Sequence, residues 1–385
     1  MTVTTVPFFR PSIGEAEIAE VVDCLRNGWL TTGAKAKQFE QDFADFIGGG
    51  VEAVAVNSAT AAMHLALEGI GIGPGDEVIV PSYTFTATAE VIRYLGATPV
   101  FVDCAIDTFN MGPAHFEGAI TDRTKAVMPV HFAGLACDMT GICELADERD
   151  IAVVDDAAHA LPTRHGGRMI GDCGARATAF SFYANKTITT GEGGMLVTKD
   201  AALADRARTM RLHGISRDVF NRFTDVKASW RYDIVAPGFK YNMTDIAAGM
   251  GLHQLAKAYA FRDDRAALCE RYDERLAGLP LILPAAGAGE DYHSRHLYIV
   301  RLGDGAAIER DALIEQLQER GIGVSVHYEP LHLKSYWQES CGIQRGAFPN
   351  AEAIGESCIS LPLFPGLTHE EQDYVVATLT DLLGG

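Results

Sequence analysis

Short runs of apolar, often β-branched residues alternate with stretches of helical spacing through the first half of the chain. Ala53-Val54-Ala55-Val56 precedes the helical run Ala61 to Leu67, Glu77 to Val80 precedes Ala87 to Tyr94, and Pro99 to Val102 precedes the stretch near Phe116 to Ile120. Ala126 to Val130 precedes Ile142 to Glu148, and Ile151 to Val154 follows. Strands that are apolar throughout and separated by helices predict an α/β fold, with a mostly parallel central sheet covered by helices on both faces. The rhythm changes over 178–199, where two strands, Thr178 to Phe182 and Gly194 to Thr198, flank a loop before a helix from Ala201 to Leu212. A less regular, aromatic-rich stretch runs from Ile215 to Phe239. Helices over 244–275 then lead to a smaller α/β unit, with strands at Leu297 to Arg301 and Gly323 to Val326 and helices over 309–320 and 369–383. The expected division is a large ligand-binding domain over 1–255 and a small C-terminal domain over 256–385, with residues 1–12 free to pack on the small one.

Composition narrows the class. With 385 residues, 48% of them hydrophobic, the chain can bury a large core. No apolar run reaches the length of about 18 residues that a membrane span needs, so no membrane partner is expected. The first ten residues lack the basic start and apolar stretch of a signal peptide. Eight cysteines stand singly, with no Cys-x-x-Cys pair, as buried thiols do in a reducing compartment. A cytoplasmic location is expected. A net charge of −19 argues against nucleic acid as a partner, because phosphate backbones need clustered Lys and Arg. No metal-ligand pattern stands out.

Ligands of open α/β sheets bind beyond the carboxyl ends of the strands, which draws attention to four strand-end clusters. In Asn57-Ser58-Ala59-Thr60-Ala61-Ala62 a strand turns into a helix, and the free N–H groups of a helix start favour an anion. An ordinary Ser/Thr cap accounts for the same residues. Pro81-Ser82-Tyr83-Thr84-Phe85-Thr86 offers aromatic rings that either cover a planar ligand or fill core. Val153-Val154-Asp155-Asp156-Ala157-Ala158-His159 ends an apolar strand in two acids, which cannot both be buried without partners. A protonated pyridine nitrogen is one such partner, and a solvated, capping acid pair is the other reading. In Ser181-Phe182-Tyr183-Ala184-Asn185-Lys186, followed by Thr187 to Gly194, a lysine past a strand end and before a Gly-rich turn sits where desolvation tunes an amine into a nucleophile. A lone lysine is usually a solvated surface residue. The succession of anion cap, ring-facing aromatic, strand-end Asp and Lys points elsewhere.

That set resembles the fold type I pyridoxal-phosphate (PLP) enzymes of the DegT/DnrJ/EryC1/StrS group, the sugar-nucleotide aminotransferases. The resemblance runs through Arg26 to Gly33, Ser58 to Ala62, Pro81 to Phe85, Pro129 to Gly134, Asp156 to His159, Ser181 to Lys186 and Ser360 to Pro365. Gly238-Phe239-Lys240-Tyr241-Asn242-Met243-Thr244-Asp245 is most similar to the C4-aminating branch typified by the enzyme that forms UDP-4-amino-4-deoxy-L-arabinose. Many relatives have Asn where Lys240 stands and Arg where Asn242 stands.

The resemblance implies that Lys186 carries PLP as a Schiff base and later shuttles protons at the substrate carbon. It implies that Asp156 pairs with the pyridine nitrogen, His159 with the ring's O3′, and that Phe85 stacks on the ring. Ala59, Thr60 and Ser181 are expected to hold the phosphate, with Asn242 or Lys240 reaching in from the second subunit of a homodimer. Thr31, His327, Tyr328 and His332 are expected around the sugar. The implied reaction is ping-pong: glutamate converts PLP to its aminated form (PMP), which aminates a nucleotide-linked (dTDP- or UDP-) 4-keto sugar. The aromatic stretch 215–243, with Phe220, Phe223, Trp230, Tyr232, Phe239 and Tyr241 among Arg217, Arg222, Arg231 and Lys240, has the composition of an interface core.

Rival readings are weaker. No Gly-x-Gly-x-x-Gly follows the first strand, as a nicotinamide-binding fold requires. Deoxygenating relatives typically carry His where Lys186 stands. Amination at C3 and a non-catalytic PLP-binding role complete the alternatives.

Overall fold

The computed structural model describes residues 3–216, 232–287 and 292–384. Two helices, α1 (Glu15–Asn27) and α2 (Ala34–Ile47), precede β1 (Glu52–Val56), α3 (Ala59–Ile70), β2 (Glu77–Pro81), α4 (Ala87–Tyr94), β3 (Thr98–Val102) and α5 (Pro113–Glu117). The chain continues through β4 (Thr124–Val127), α6 (Met139–Glu148), β5 (Ala152–Asp156), a short hairpin of β6 (Arg164–His165) and β7 (Arg168–Met169), then β8 (Ala177–Ser181), β9 (Gly194–Thr198) and α7 (Ala201–Met210). The seven-stranded sheet has the order β1-β9-β8-β5-β4-β2-β3. Of its strands only β9 runs against its neighbours. The mostly parallel sheet expected from the apolar runs is therefore present.

The alternation of side chains along each strand builds a helix layer on either face. Val153 and Phe180 pack on one side with Phe39 and Phe43 of α2 and Ile142 of α6. Their neighbours Val154 and Ala179 pack on the other side with Leu65 of α3, Val91 of α4 and Leu203 of α7. Each fully buried side chain of this size contributes roughly 1.5–3 kcal/mol, so a one-residue slip of a strand would exchange the two layers at prohibitive cost.

Beyond the sheet, α8 (Asp245–Ala256) packs on α1 and α2. Helix α9 (Ala258–Leu276) begins among the first layer, through Ala258 and Phe261, and ends in a separate cluster through Leu268, Tyr272 and Leu276. That cluster belongs to a small antiparallel sheet of β10 (Leu281–Ile282), β11 (Tyr298–Leu302) and β12 (Cys358–Leu361). Helices α10 (Arg310–Glu319) and α13 (His369–Leu383) complete it, with α11 (Ser335–Cys341) and α12 (Pro349–Ser357) between them in the chain. A capping box starts α13: the Thr368 hydroxyl accepts from the Glu371 N–H, and Glu371 accepts from the Thr368 N–H.

Two sequence expectations need correction. Residues 323–326 do not form a strand; they make one bridge, Ser325 to Ser360 of β12, just after a bridge of Ile322 to Val6. The N-terminal segment crosses there so closely that a Cβ on Gly323 would stand 2.5 Å from the Phe8 nitrogen. The aromatic stretch also divides. Phe239 and Tyr241 stack on each other, their centroids 5.0 Å apart, and pack beside His64 rather than outward. Tyr232, Ile234 and Val235 are exposed. Arg217, Phe220, Arg222, Phe223, Trp230 and Arg231 lie outside the described residues.

Candidate active site

A cavity of about 330 Å³ opens at the carboxyl ends of β1, β5 and β8. Its first wall is the start of α3. Ser58, in extended conformation, caps that helix by accepting the Ala61 N–H on its own hydroxyl at 3.1 Å. The cap uses up the third N–H of the helix and leaves those of Ala59 and Thr60, both on the cavity wall, for an anion. Gly194 explains how β9 lies beside this turn: a Cβ there would meet the Ser58 carbonyl carbon at 2.4 Å and the Ala59 nitrogen at 2.6 Å. Only glycine fits. Ser181, at the end of β8, lines the same wall.

The two acids of β5 part company because successive strand residues face opposite sides. Asp155 turns to the α2/α6 side, fully buried, and pairs with His131 Nε2 at 2.9 Å. Asp156 turns to the α3/α4 side and lines the cavity. Its carboxylate accepts from the Thr88 hydroxyl at 2.9 Å and from the Ala158 N–H at 3.0 Å. Burial raises its pKa, while these two bonds and the nearby Lys186 act in the other direction. Lys186 follows β8 in a turn closed by its N–H on the Tyr183 carbonyl at 3.0 Å. Burial drives its amine down to about 8, with Asp156 holding part of the shift back. A buried amine with a substantial neutral fraction thus shares the cavity with a buried carboxylate.

Next to them sits His159. Its Nδ1 accepts the Ala133 N–H at 3.3 Å, which puts the ring proton on Nε2, 3.4 Å from the Tyr328 hydroxyl. Burial, then the charge of Lys186, lowers its pKa well below the usual value, so the ring is neutral. Phe85 presents a ring that is 55% exposed at the cavity, 5.8 Å from that of Tyr328. His327 bonds Ser360 Oγ through Nδ1 at 2.8 Å, and burial brings its pKa down to about 4. Tyr83 braces this corner: its hydroxyl donates to the His327 carbonyl at 2.5 Å and accepts the Tyr328 N–H at 2.9 Å.

The fold thus gathers Ala59, Thr60, Phe85, Asp156, His159, Ser181, Lys186, His327 and Tyr328 around one space. It does not bring four other expected residues there. His332 is fully buried with both ring nitrogens engaged, by Ser82 Oγ at 2.6 Å and Glu352 Oε1 at 2.9 Å, so it fastens the Ser82 strand end to the 352 helix and does not line the cavity. Thr31, Lys240 and Asn242 line a separate groove of about 660 Å³ with Arg208 and Arg211. There Lys240 Nζ donates to Asn242 Oδ1, and Asn242 Nδ2 donates to Thr32 Oγ1 at 2.7 Å. Within one chain they do not line the cavity that holds Lys186. Thr88 went unnoticed in the sequence: it is the second residue of α4, 68 residues from Asp156, and no local pattern marks it.

Among the described residues no group of His, Cys, Asp and Glu is placed to hold a metal ion, and no helix is long and apolar enough to cross a membrane. The donor set fits PLP instead: helix-start N–H groups for a phosphate, an acid for a ring nitrogen, and a desolvated amine for a carbonyl.

Comparison with known proteins agrees. The family model described as the DegT/DnrJ/EryC1/StrS aminotransferase family matches residues 11–380. The spore coat polysaccharide biosynthesis protein SpsC of Bacillus subtilis is 44% identical over 382 residues, covering 99% of this chain and 97% of its own. Spr1654 of Streptococcus pneumoniae, provisionally named a sugar aminotransferase, superposes in its PMP form with a TM-score of 0.91 at 38% identity, covering 98% and 99% of the two chains. A PLP form of the same protein has also been solved. PseC of Helicobacter pylori, an aminotransferase involved in the biosynthesis of pseudoaminic acid, gives a TM-score of 0.90 at 27% identity over 99% of both chains.

Proposed function

The chain belongs to the DegT/DnrJ/EryC1/StrS aminotransferase family and is a PLP-dependent sugar aminotransferase; from that premise we propose that it moves an amino group from glutamate to C4 of a dTDP- or UDP-linked 4-keto sugar. The observation that carries the reading is the desolvated Lys186 amine facing Asp156 across a cavity walled by the start of α3. Amination at C4 rather than C3 is supported by the resemblance of Gly238 to Asp245 to the C4-aminating branch. The relative SpsC, named for spore coat polysaccharide biosynthesis, favours a cell-surface glycan as the destination of the amino sugar, antibiotic biosynthesis being the alternative. A cytoplasmic homodimer, divided in each subunit into domains at 1–255 and 256–385, completes the proposal. In it Lys240 or Asn242 of each chain reaches toward the other chain's phosphate site, since neither faces the cavity of its own chain.

PLP, when bound, supplies an electron sink and carries the amino group between donor and acceptor. The rest is the work of this chain. Ala59, Thr60 and Ser181 hold the phosphate by N–H and hydroxyl donors at the positive end of α3. The Asp156 carboxylate would pair with the ring nitrogen and keep it protonated; Thr88 and the Ala158 N–H aim that carboxylate. Neutral His159 would offer Nε2–H to the ring's phenolic oxygen, and Phe85, on the cavity wall, would cover the ring. Lys186 is the attachment point. Its amine, when free, would take the proton from the donor carbon in one half-reaction and deliver a proton to the sugar carbon in the other, a task suited to a base lowered to about 8. His327 and Tyr328, on the cavity wall, would contact the sugar nucleotide, and Thr31, in the separate groove, would do so only across the proposed dimer.

The test is turnover of a panel of 4-keto and 3-keto dTDP- and UDP-sugars with glutamate, with the product's amine position read by NMR. Amination of a 3-keto sugar alone would displace the C4 reading. No turnover with any keto sugar would remove the catalytic one.

A further inference from the structure

His159 meets the cavity from a stretch of chain outside any helix or strand, since β5 ends at Asp156 and β6 begins at Arg164. Much of what holds it arrives from the segment just before β11. Ser294, 135 residues later in the chain, donates its fully buried hydroxyl to the His159 carbonyl at 2.6 Å. The His296 N–H donates to the Ala133 carbonyl at 3.0 Å, and the Ala133 N–H is the donor on His159 Nδ1. The His296 ring lies against that of His159, their centroids 4.5 Å apart and their planes tilted by 45°. Gly134 lets the segment come this near: its φ is +95°, and a Cβ there would stand 1.9 Å from Ser294 Oγ and 2.9 Å from the His159 carbonyl oxygen. Thr163 ties the same corner, donating its hydroxyl to the Gly134 carbonyl at 2.8 Å and accepting the Ser294 N–H at 3.2 Å.

His296 is 3% exposed and does not line the cavity. Burial, then the neighbouring His159 and Lys186, hold its pKa well below the usual value, so its ring is neutral. Its Nδ1 is buried without a partner. Neither charge nor a hydrogen bond at that nitrogen accounts for its place; the flat face against His159 does. Phe132 and Tyr328 bring two more rings to His159, with centroids farther off at 5.8 and 6.4 Å. A side chain that must present one N–H in a fixed direction depends on neighbours that lock its rotamer.

We propose that His296 is a positioning residue acting through His159: its ring packs the imidazole and its N–H fixes the Ala133 peptide, so that Nδ1 stays an acceptor and Nε2–H is presented to the cavity. Ser294 secures the same residue by its main chain. The proposal rests on the reading that His159 meets the cofactor's phenolic oxygen.

The experiment pairs NMR of the apoenzyme, labelled in its histidine nitrogens, with PLP binding by equilibrium dialysis. The variants are His296→Leu, His296→Phe, His159→Gln, and His296→Leu combined with His159→Gln. In the wild-type apoenzyme at neutral pH the His159 signals, assigned by their loss in His159→Gln, should report one tautomer with the proton on Nε2. His296→Leu should shift them toward a mixture of tautomers and weaken PLP binding about 10-fold, the scale of one lost hydrogen bond. His296→Phe keeps a flat face and gives up no bond at Nδ1, so its affinity should stay within about 2-fold of wild type. Because the effect runs through His159, adding His296→Leu to His159→Gln should cost less than about 2-fold more. A wild-type His159 protonated on Nδ1 overturns the proposal. So do an unchanged tautomer and affinity in His296→Leu, losses that multiply in the double variant, or a Phe variant as weak as the Leu one. Should His296→Leu fail to fold, the wild-type tautomer and Ser294→Ala, which must loosen His159 in the same two readouts, decide the matter. If His159→Gln itself leaves PLP affinity unchanged, the cofactor contact of His159 fails, while the apoenzyme spectra still judge the positioning.

Discussion

Replacing Asp155 and Asp156 separately by Asn separates catalysis from stability at two adjacent positions. Asp156→Asn removes the carboxylate that faces the cavity while keeping the size of the side chain. Loss of one such pre-aimed electrostatic contact costs about 10²–10³-fold in kcat, or roughly 3–4 kcal/mol of barrier. Stability should respond differently. The folded pKa of Asp156 lies above its unfolded value, chiefly through burial. For an acid shifted this way the folded state holds the proton more tightly, so its stabilising contribution is present at low pH and is lost as pH rises through the folded pKa. Across that window ionisation costs the folded apoenzyme stability, because the charged side chain is buried. Asn carries no charge to desolvate. It retains an acceptor for Thr88 but turns an N–H toward the Ala158 N–H, a mismatch worth about 1 kcal/mol. Asp156→Asn should therefore leave the apoenzyme's stability at neutral pH within about 1 kcal/mol of wild type.

Asp155→Asn gives the reverse pattern. Asp155 is fully buried against His131 on the far face of the sheet, so weakening that pair costs roughly 1–3 kcal/mol of folding stability. Because nothing of Asp155 reaches the cavity, kcat of the folded variant should change less than ~3-fold, within the ±0.5 kcal/mol typical of remote changes. Urea unfolding of the apoenzymes, paired with steady-state rates for the folded fraction, measures both quantities. A folded Asp155→Asn enzyme with a hundredfold loss of kcat, beside an active Asp156→Asn enzyme, would refute the assignment.

Three further outcomes follow from the same geometry. Lys186→Met should abolish turnover and borohydride fixation of the cofactor, and it should stabilise the apoenzyme at neutral pH. The Lys186 pKa falls from 10.5 to about 8 on folding, so the unfolded chain binds the extra proton between those values; wild-type stability rises with pH across that window, and the variant's advantage in Tm should disappear above it. An advantage that persists unchanged at pH 11 would contradict the desolvated amine. Gly194→Ala should loosen the start of α3 and weaken binding of PLP at least ~10-fold, about the cost of one strained contact, because the new methyl meets the Ser58 backbone at 2.4 Å; unaltered affinity in equilibrium dialysis would show that the turn yields. Mixing Lys186→Ala chains with chains altered at both Lys240 and Asn242 should restore part of the activity, since a mixed dimer confines both lesions to one site and leaves the other whole. Failure to complement in a dimer shown to mix by native mass spectrometry would remove the shared site.

The pattern along the chain determined more than the class of fold. Apolar runs separated by helical spacing dictated the parallel sheet, because a strand buried on both faces has no other stable setting. The order of a Ser/Thr helix start, an aromatic strand end, a strand-end acid and a lysine before glycines located most of the cavity wall, since strand ends in one parallel sheet emerge at one edge. Even the choice between Asp155 and Asp156 was implicit in the two-residue period, once Val153 and Val154 were assigned to opposite layers. What the chain could not disclose was any contact made by residues distant in sequence and unmarked locally. Thr88 reaches Asp156 only because α4 packs across the end of β5, and nothing around it differs from an ordinary helical threonine. His332 reads like a site histidine until packing places Ser82 and Glu352 on its two nitrogens. The strand expected at 323–326 is reduced to a single bridge onto β12 at Ser325, beside the N-terminal segment that bridges at Ile322. Arg265, an unremarkable helical arginine in the sequence, is almost wholly buried in the fold. Local patterns report which face a residue turns to; burial, partner and charge state are decided by what the rest of the chain brings to that face.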